Sequence, residues 1–337
     1  MKVLCLWYAT DDEIAYIKNA MPAGTEVVAP KGEYFSRFEC AYSELSPLAV
    51  DADAFIGFAL PKGLIGVAEK LKLYCTLHTG IDDLDKPLLK QRGIRVANTR
   101  GANAVACAEH AMMLMLALAK QTLYKHQQLL EGRRIFPTWE DGTRSATLQG
   151  RTVGVIGVGA IGSRVAQYAK GFDMHVLGVR RNKANSVEHV DSMHSMDELH
   201  TVLPKCDYVV VATPFTDETS RFFGKAEFAA MKPSSFLINI SRGKCIQEQP
   251  LYEALTSGRL RGFAADVWPR YEYGETFPIG YTSRLEIHKL PNVIGSLGEA
   301  GNADDVKERH IQWGTESLSD FARGKPIRRE VNLDEGY

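Results

Sequence analysis

The sequence of 337 residues lacks most features that identify a chain at first sight. It has almost no net charge: 40 Lys and Arg against 41 Asp and Glu leave −1. Such a balance gives no broad attraction to nucleic acid or to an anionic membrane, and neither is expected as a partner. It has no long hydrophobic run. The longest, Ala111 to Ala119 ("AMMLMLALA"), is too short to span a bilayer and reads as a buried core helix. No secretory leader is expected, because "MKVLCLWYATDDE" meets two aspartates and a glutamate too early. The six cysteines, at 5, 40, 75, 107, 206 and 245, form no CxxC pair. Neither a zinc site nor a disulfide framework is indicated, and reduced thiols in a cytoplasmic protein are expected. Low-complexity segments and short-period repeats are absent too.

What is present is material for a core. Hydrophobic residues make up 45% and charged residues 24%, and the length suggests two domains. Short apolar runs alternate with helical patterns almost from end to end. The strand candidates are "KVLCLW", "TEVVA", "AFIGF", "LYCTLH", "IRVAN", "TVGVIGVG", "HVLGV", "YVVVAT", "SFLINI", "GFAADV" and "NVIGSL". Continuous apolar strands separated by helices predict parallel sheets covered on both faces. The pattern runs once before residue 100 and again from residue 152. Between the two sets lies one long helix candidate, Ala104 to Leu130. A last helix pattern, Asp304 to Arg323, is placed to return to the first domain. The expected fold class is α/β: two Rossmann-like, doubly wound parallel-sheet domains with a cleft between them.

"TVGVIGVGAIGSRVA" carries Gly157, Gly159 and Gly162 in G-x-G-x-x-G spacing, with Ala160 and Ile161 between the last two. The motif follows an apolar strand and opens a helix, which is the context a dinucleotide site requires. Gly157 allows the tight turn, Gly159 lets the backbone approach a pyrophosphate, and Gly162 lets helix and strand pack closely. The alternative is an ordinary glycine-rich turn. An NAD site normally places an acid about 20 residues on, where it binds the ribose 2′-hydroxyl. Here Arg180 stands 18 residues after Gly162, with Arg181 and Lys183 beside it. A carboxylate would repel a 2′-phosphate and guanidinium groups pair with one, so NADP(H) is expected ahead of NAD(H). A solvated basic turn is the competing reading.

Six blocks now carry a resemblance: "HTGIDDLD", "GIRVANTRGANAVACAEHAMMLMLAL", the glycine loop, "VVVATPFTDETSRFF", "MKPSSFLINISRGKCIQEQPLYEAL" and "GRLRGFAADVW". In that order, from about Leu71 to Gly301, the chain resembles the D-isomer-specific 2-hydroxyacid dehydrogenases. That group includes glyoxylate/hydroxypyruvate reductases and phosphoglycerate, formate and phosphite dehydrogenases. The resemblance implies a flavodoxin-like substrate domain of residues 1–101 plus 296–337, and a dinucleotide-binding Rossmann domain of residues 102–295. It implies a homodimer held by the cofactor domain, with the helix 104–130 part of the interface, and a small anionic substrate. Carried over residue by residue, it places Thr79 and Gly80 where backbone N–H groups bind the substrate carboxylate. Arg242, in "NISRG", falls on the arginine that holds the carboxylate and the reacting oxygen. Thr213, Pro214, Thr219, Ile240 and Asp266 fall on positions lining the cofactor, Asp266 beside the nicotinamide amide, and Asn103 falls at the hinge. For Thr219 and Asn103, local turn capping is an equal alternative. No metal is expected.

The pattern breaks at the acid–base pair. In the family a histidine moves the proton and a glutamate orients it. Five residues after Asp266, where the glutamate belongs, stands Tyr271, with Glu272 next. The histidine belongs to a "TPHIAG"-like turn. This chain reads "NVIGSLGEAG", which puts Gly298 in its place. Glu299, Tyr271, Glu272 and His78 are substitutes for the proton donor; His288 and His110 read as structural. The sequence therefore predicts an NADP(H)-dependent oxidoreductase of small oxo or hydroxy acids, or a related anion, with a non-standard acid–base group. The second reading is a weak or inactive NADP(H)-binding protein used for regulation or protein contacts.

Overall fold

In the computed structural model, which describes residues 1–32, 36–133, 144–184, 186–269 and 283–336, two parallel sheets organise the chain. Of the described residues, one unit holds 1–102 and 304–336, and the other holds 103–269 and 283–303.

The first unit contains β1 (Lys2–Cys5), α1 (Asp11–Ala20), β2 (Glu26–Val28), α2 (Tyr42–Ala49), β3 (Ala54–Gly57), α3 (Leu64–Val67), β4 (Leu73–Thr76), α4 (Lys86–Gln91) and β5 (Arg95–Ala97). Its strand order is β2-β1-β3-β4-β5, the flavodoxin-like order, with every pairing parallel. Alternate residues of each strand feed opposite faces. Leu4, Phe55, Tyr74 and Val96 pack on one side; Val3, Cys5, Ile56 and Cys75 pack on the other. Both faces are covered, which is why these strands read as unbroken apolar runs.

The second unit contains α5 (Ala104–Lys120), α6 (Thr122–Leu130), β6 (Thr152–Ile156), α7 (Ala160–Lys170), β7 (His175–Val179), β8 (Ser192–His194), α8 (Leu199–Val202), β9 (Tyr208–Val211), α9 (Lys225–Ala230), β10 (Phe236–Asn239), α10 (Glu248–Thr256), β11 (Gly262–Ala265) and β12 (Val293–Gly295). Seven parallel strands run β12-β11-β10-β9-β6-β7-β8. Counted from β6 this is the doubly wound dinucleotide-binding order with one further strand. α5 and α7 cover one face through Met112, Met115, Leu118, Val165 and Ala169. The other face takes Phe228, Leu251 and Leu255. The chain closes with α11 (Val306–Ala322), which packs on β3, β4 and α1 of the first unit.

Three expectations are corrected here. The helix expected over 104–130 is two helices, because Gln121 is left-handed (φ 54°, ψ 40°). The break is held by the returning chain: Gln121 Nε2 donates to the Arg144 carbonyl at 3.2 Å, Lys120 Nζ to Ala146 O at 2.9 Å, and Ala146 N–H to Ala119 O at 2.8 Å. Strand β8 was not expected, since "SMH" carries no apolar run. Residues 296–303 belong with the second unit rather than the first, since β12 pairs with β11 and the following turn is bonded to Asp266.

The amino edges of the sheets share a device. An aspartate immediately before a strand accepts a backbone N–H from the neighbouring strand. Asp53, before β3, takes Lys2 N–H of β1 at 2.7 Å. Asp191, before β8, takes Val176 N–H of β7 at 2.7 Å. Asp207, before β9, takes Thr152 N–H of β6 at 2.9 Å and Lys232 Nζ at 2.9 Å.

Candidate functional site

The glycine loop is built by close approach. Gly157 has φ 96°, and a Cβ there would lie 2.6 Å from the Ala212 backbone. Its N–H donates to Val179 O at 2.8 Å, tying the loop to β7. A Cβ on Gly162 would lie 2.1 Å from the Gly157 carbonyl oxygen, so only glycine lets α7 start this near β6. Gly159 differs. It is the N-cap of α7, gives no side-chain acceptor to the first-turn N–H groups, and a Cβ on it would meet nothing within 4 Å. Ala160 is exposed beside it, and Ile161 packs on the core. The first turn of α7 contains no acid. A helix N-terminus with open N–H groups, clear space and no competing carboxylate fits a pyrophosphate.

Arg180 follows β7 directly, half-buried, with its backbone N–H on His194 O at 3.0 Å. Its two basic neighbours have anionic partners already. Arg181 reaches Glu218 at 2.8 Å and Lys183 reaches Glu198 at 2.8 Å. Lys183, with the Ser195 N–H and hydroxyl, holds the Glu198 carboxyl down at about 2. Across the loop, Thr213 is buried with its hydroxyl 3.9 Å from Cys245 Sγ, and Pro214 is exposed. Thr219 closes its own turn: its hydroxyl donates to Pro214 O at 2.7 Å and accepts Thr216 N–H at 2.8 Å.

The carboxyl ends of β10, β11 and β12 carry the remaining side chains of this unit. Asn239 shapes the turn after β10. Its Oδ1 accepts the Ser241 N–H at 3.0 Å and hydroxyl at 2.8 Å, while Nδ2 donates to Arg242 O at 3.0 Å. Ile240 is buried under this turn. Arg242 emerges half-buried, one guanidinium N–H on Ser241 O at 3.0 Å. Asp266 is 4% exposed. Its Oδ1 accepts the Ser296 hydroxyl at 2.5 Å and Glu299 N–H at 2.8 Å, and Oδ2 accepts Ala300 N–H at 2.9 Å. The turn that Asp266 holds contains Gly298, with φ 75°.

One face of α5 meets this edge. Asn103, at its N-cap, lies against Gly301, where a Cβ would come 3.3 Å from Asn103 Nδ2. Four residues on, burial pushes the Cys107 thiol up to about 12; Asp266 adds to the shift and Arg242 opposes it. Seven residues on, His110 Nε2 lies 2.8 Å from Ser296 Oγ and 3.7 Å from Asp266 Oδ1. The sequence reading treated His110 as structural and missed Ser296. The one available signal was spacing: positions 103, 107 and 110 share a helix face.

The other candidates stand elsewhere. Thr79 and Gly80 follow β4 in the first unit. Their loop is braced by Asn98 Nδ2 on Thr79 O at 2.8 Å and by Thr99 N–H on His78 O at 3.0 Å. His78 meets Phe58 edge-on at 6.1 Å, and His288 meets Trp268 edge-on at 6.1 Å. Glu299 accepts Asn302 Nδ2 at 2.8 Å on the surface. Tyr271 and Glu272 lie outside the described residues. Among the described residues no group of His, Cys, Asp and Glu could hold a metal, and all six cysteines are buried and unbridged.

Comparison with known proteins agrees with this geometry. Residues 112–296 match the family model described as D-isomer specific 2-hydroxyacid dehydrogenase, NAD binding domain. The chain is 30% identical to a glyoxylate reductase of Korarchaeum cryptofilum over 84% of each sequence. It is 36% identical to a formate dehydrogenase of Chaetomium thermophilum, covering 79% of this chain and 72% of that one. The chain spans about half the length of two D-3-phosphoglycerate dehydrogenases it also matches, 53% and 49%. An acyclic imino acid reductase, solved with NADPH and D-Arg, superposes with a TM-score of 0.80 over 98% of this chain and all of that one, at 24% identity, a likeness of fold. Strand order, glycine loop, Asn239-shaped turn and family match agree: the chain belongs to the D-isomer specific 2-hydroxyacid dehydrogenase family.

Proposed function

We propose that the chain is an NADP(H)-dependent oxidoreductase acting on a small oxo or hydroxy acid or a related anion. The observation that carries this reading is the open N-terminus of α7 at Gly159, in the same sheet as Arg242 on the carboxyl edge of β10. The backbone N–H groups of Gly159, Ala160 and Ile161 would hold the pyrophosphate. Arg180 would meet the 2′-phosphate first, because Arg181 and Lys183 must leave Glu218 and Glu198 to help it. Asp266 uses three acceptor directions within the chain, and Oδ2 retains one for the nicotinamide amide. Thr213, Pro214 and Ile240 would line the ring, and Thr219 would support them by closing the turn. The bound nicotinamide supplies or takes the hydride.

Arg242 would hold the substrate anion and the developing charge on the reacting oxygen, for which its rigid fork is suited. Thr79 and Gly80 are proposed to offer backbone N–H groups to the substrate carboxylate. Gly298 offers no proton, so turnover of simple oxo acids is expected to be slow by roughly 10²–10⁴ relative to a histidine-bearing site. We further propose a homodimer in the cytoplasm. In support, α5 and α6 expose Met113, Leu123, Tyr124, Leu129 and Leu130, the last two 72% and 68% exposed. No helix among the described residues is long and apolar enough to cross a membrane.

The test is NADPH oxidation with glyoxylate, hydroxypyruvate and pyruvate, alongside fluorescence titration of NADPH and sedimentation of the free protein. Slow turnover that disappears in Arg242→Ala, with NADPH affinity kept, supports the reading. Tight NADPH binding with no turnover of any acid would point to a binding protein. A monomer in sedimentation would remove the dimer.

A further inference from the structure

We propose that His110 is a positioning residue for hydride transfer, acting through Ser296 on Asp266 and the 296–300 turn; this rests on the oxidoreductase reading. The three side chains come from three separate elements: His110 from α5, Asp266 from the end of β11, Ser296 from the end of β12. Chemistry fixes the direction of the chain. Asp266 already accepts two backbone N–H groups, so its carboxylate is the acceptor for Ser296. The serine has a single hydrogen and gives it to Oδ1 at 2.5 Å. Its oxygen must then accept from His110, which carries a hydrogen on Nε2. Nε2–H to Oγ–H to Oδ1 is therefore one directional chain.

The backbone of the turn is clamped from both sides. Ser296 N–H donates to Ala265 O at 3.0 Å, Trp268 Nε1 donates to Ser296 O at 2.8 Å, and Gly298 N–H donates to Asp266 O at 2.8 Å. Within this clamp, His110 is the only side chain from α5, the helix whose N-cap is Asn103, that bonds to Ser296 among the described residues. The chain thus ties the helix face bearing Asn103 and Cys107 to the carboxylate expected beside the nicotinamide. Without the histidine, the serine hydroxyl keeps a donor role and loses its orienting partner. The Ser296–Asp266 bond is then less firmly oriented, and the acceptor of the Glu299 and Ala300 amides is held less tightly.

The experiment compares His110→Ala, His110→Gln, Ser296→Ala and the double variant His110→Ala/Ser296→Ala in the full chain. Two readouts are taken: amide hydrogen exchange at Glu299 and Ala300, and steady-state kinetics with NADPH and glyoxylate. His110→Ala is expected to speed exchange of those two amides about ten-fold while leaving α5 protected. It should lower kcat about ten- to hundred-fold, with KM and NADPH affinity within about three-fold, as small misplacements at a reaction centre do. Glutamine, which can still donate to Ser296, should restore most of both. The double variant should be no worse than either single, since both cut one chain. Unchanged exchange in His110→Ala, additive effects in the double variant, or an equal fall in KM and kcat terms without rescue by glutamine would overturn the proposal. A wild type that turns over no acid would sink the oxidoreductase reading instead, and hydrogen exchange alone would then decide the role of His110.

Discussion

The first strand–helix turns of the two units, β1 to α1 and β6 to α7, finish in opposite ways. In the first, α1 is closed by its own side chains. Thr10 Oγ1 accepts Glu13 N–H at 3.2 Å, and Glu13 Oε2 accepts Thr10 N–H at 3.0 Å. Asp11, Asp12 and Glu13 fill the first turn. In the second, α7 begins at a glycine with no side-chain acceptor and no acid nearby. The capped helix has a first-turn donor bound by its own side chain and its positive end neutralised by three acids; an anion would be repelled. The uncapped one leaves the same groups for a ligand. Topology gives both units a helix N-terminus at the carboxyl edge, and the capping residues leave that of α7, not α1, open to an anion.

The comparison breaks most sharply at Gly159. Gly159→Asp would give α7 the kind of cap α1 has. The new side chain has clear space, and an aspartate cap is worth only about a few tenths of a kcal/mol over glycine, so melting temperature should hold or rise slightly. The carboxylate would sit where the pyrophosphate goes, and NADPH affinity should fall at least about 100-fold. Unchanged affinity by fluorescence titration would place the phosphates elsewhere.

A smaller effect sharpens the cofactor side. Arg180→Ala should weaken NADPH about ten-fold and leave NADH alone, since one charge-assisted contact is lost. Arg181→Ala should do less, because that guanidinium lies on Glu218. Equal losses for both cofactors in isothermal titration would mean Arg180 does not read the 2′-phosphate.

At the far edge of the same sheet, Gly298→His tests whether the turn can carry the histidine expected from the family pattern. With φ at 75°, any side chain there should cost about 1–2 kcal/mol. Urea unfolding of Gly298→His and Gly298→Ala should show the same loss. A histidine variant as stable as wild type would show that the turn accepts an imidazole.

The last effect belongs to the first unit and shows only as pH falls. Burial, then the neighbouring His78 and Arg309 charges, lower the pKa of His310 from 6.5 to about 3. The folded protein keeps this ring neutral while the unfolded chain protonates it. Its contribution is complete above the unfolded value and is lost as pH falls from 6.5 toward 3, at no more than about 1.4 kcal/mol per pH unit. His310→Asn, which retains an acceptor for the Thr99 hydroxyl, should flatten that slope in urea titrations between those pH values. A slope identical to wild type would show that His310 protonates freely in the fold.

Features needed by a neighbour in the chain were legible in the sequence. Gly157 and Gly162 are required by contacts within one strand–turn–helix, and their spacing shows it. The buried strands are readable because both their faces are covered. Strand β8 is three half-buried residues at a sheet edge, held by Asp191, and no apolar pattern marks it. The break at Gln121 has no glycine or proline to announce it; carbonyls more than 20 residues away stabilise it. The His110–Ser296 contact joins residues 186 apart, beyond the reach of any local pattern. The sequence marks Gly298 only as a departure from the family turn, and its dihedral angle gives the glycine a physical reason.

The aspartates at the amino edges bear on how such a chain can change. Asp53, Asp191 and Asp207 each settle the stagger between two strands before the strands have run a single residue. A slip of one residue would turn every side chain to the wrong face, so this is where misassembly is prevented. With alignment secured at that end, loops at the opposite end carry no responsibility for it. They can be lengthened, shortened or exchanged between relatives while the sheet keeps its pairing. Substitutions at that end can then accumulate without reaching the scaffold.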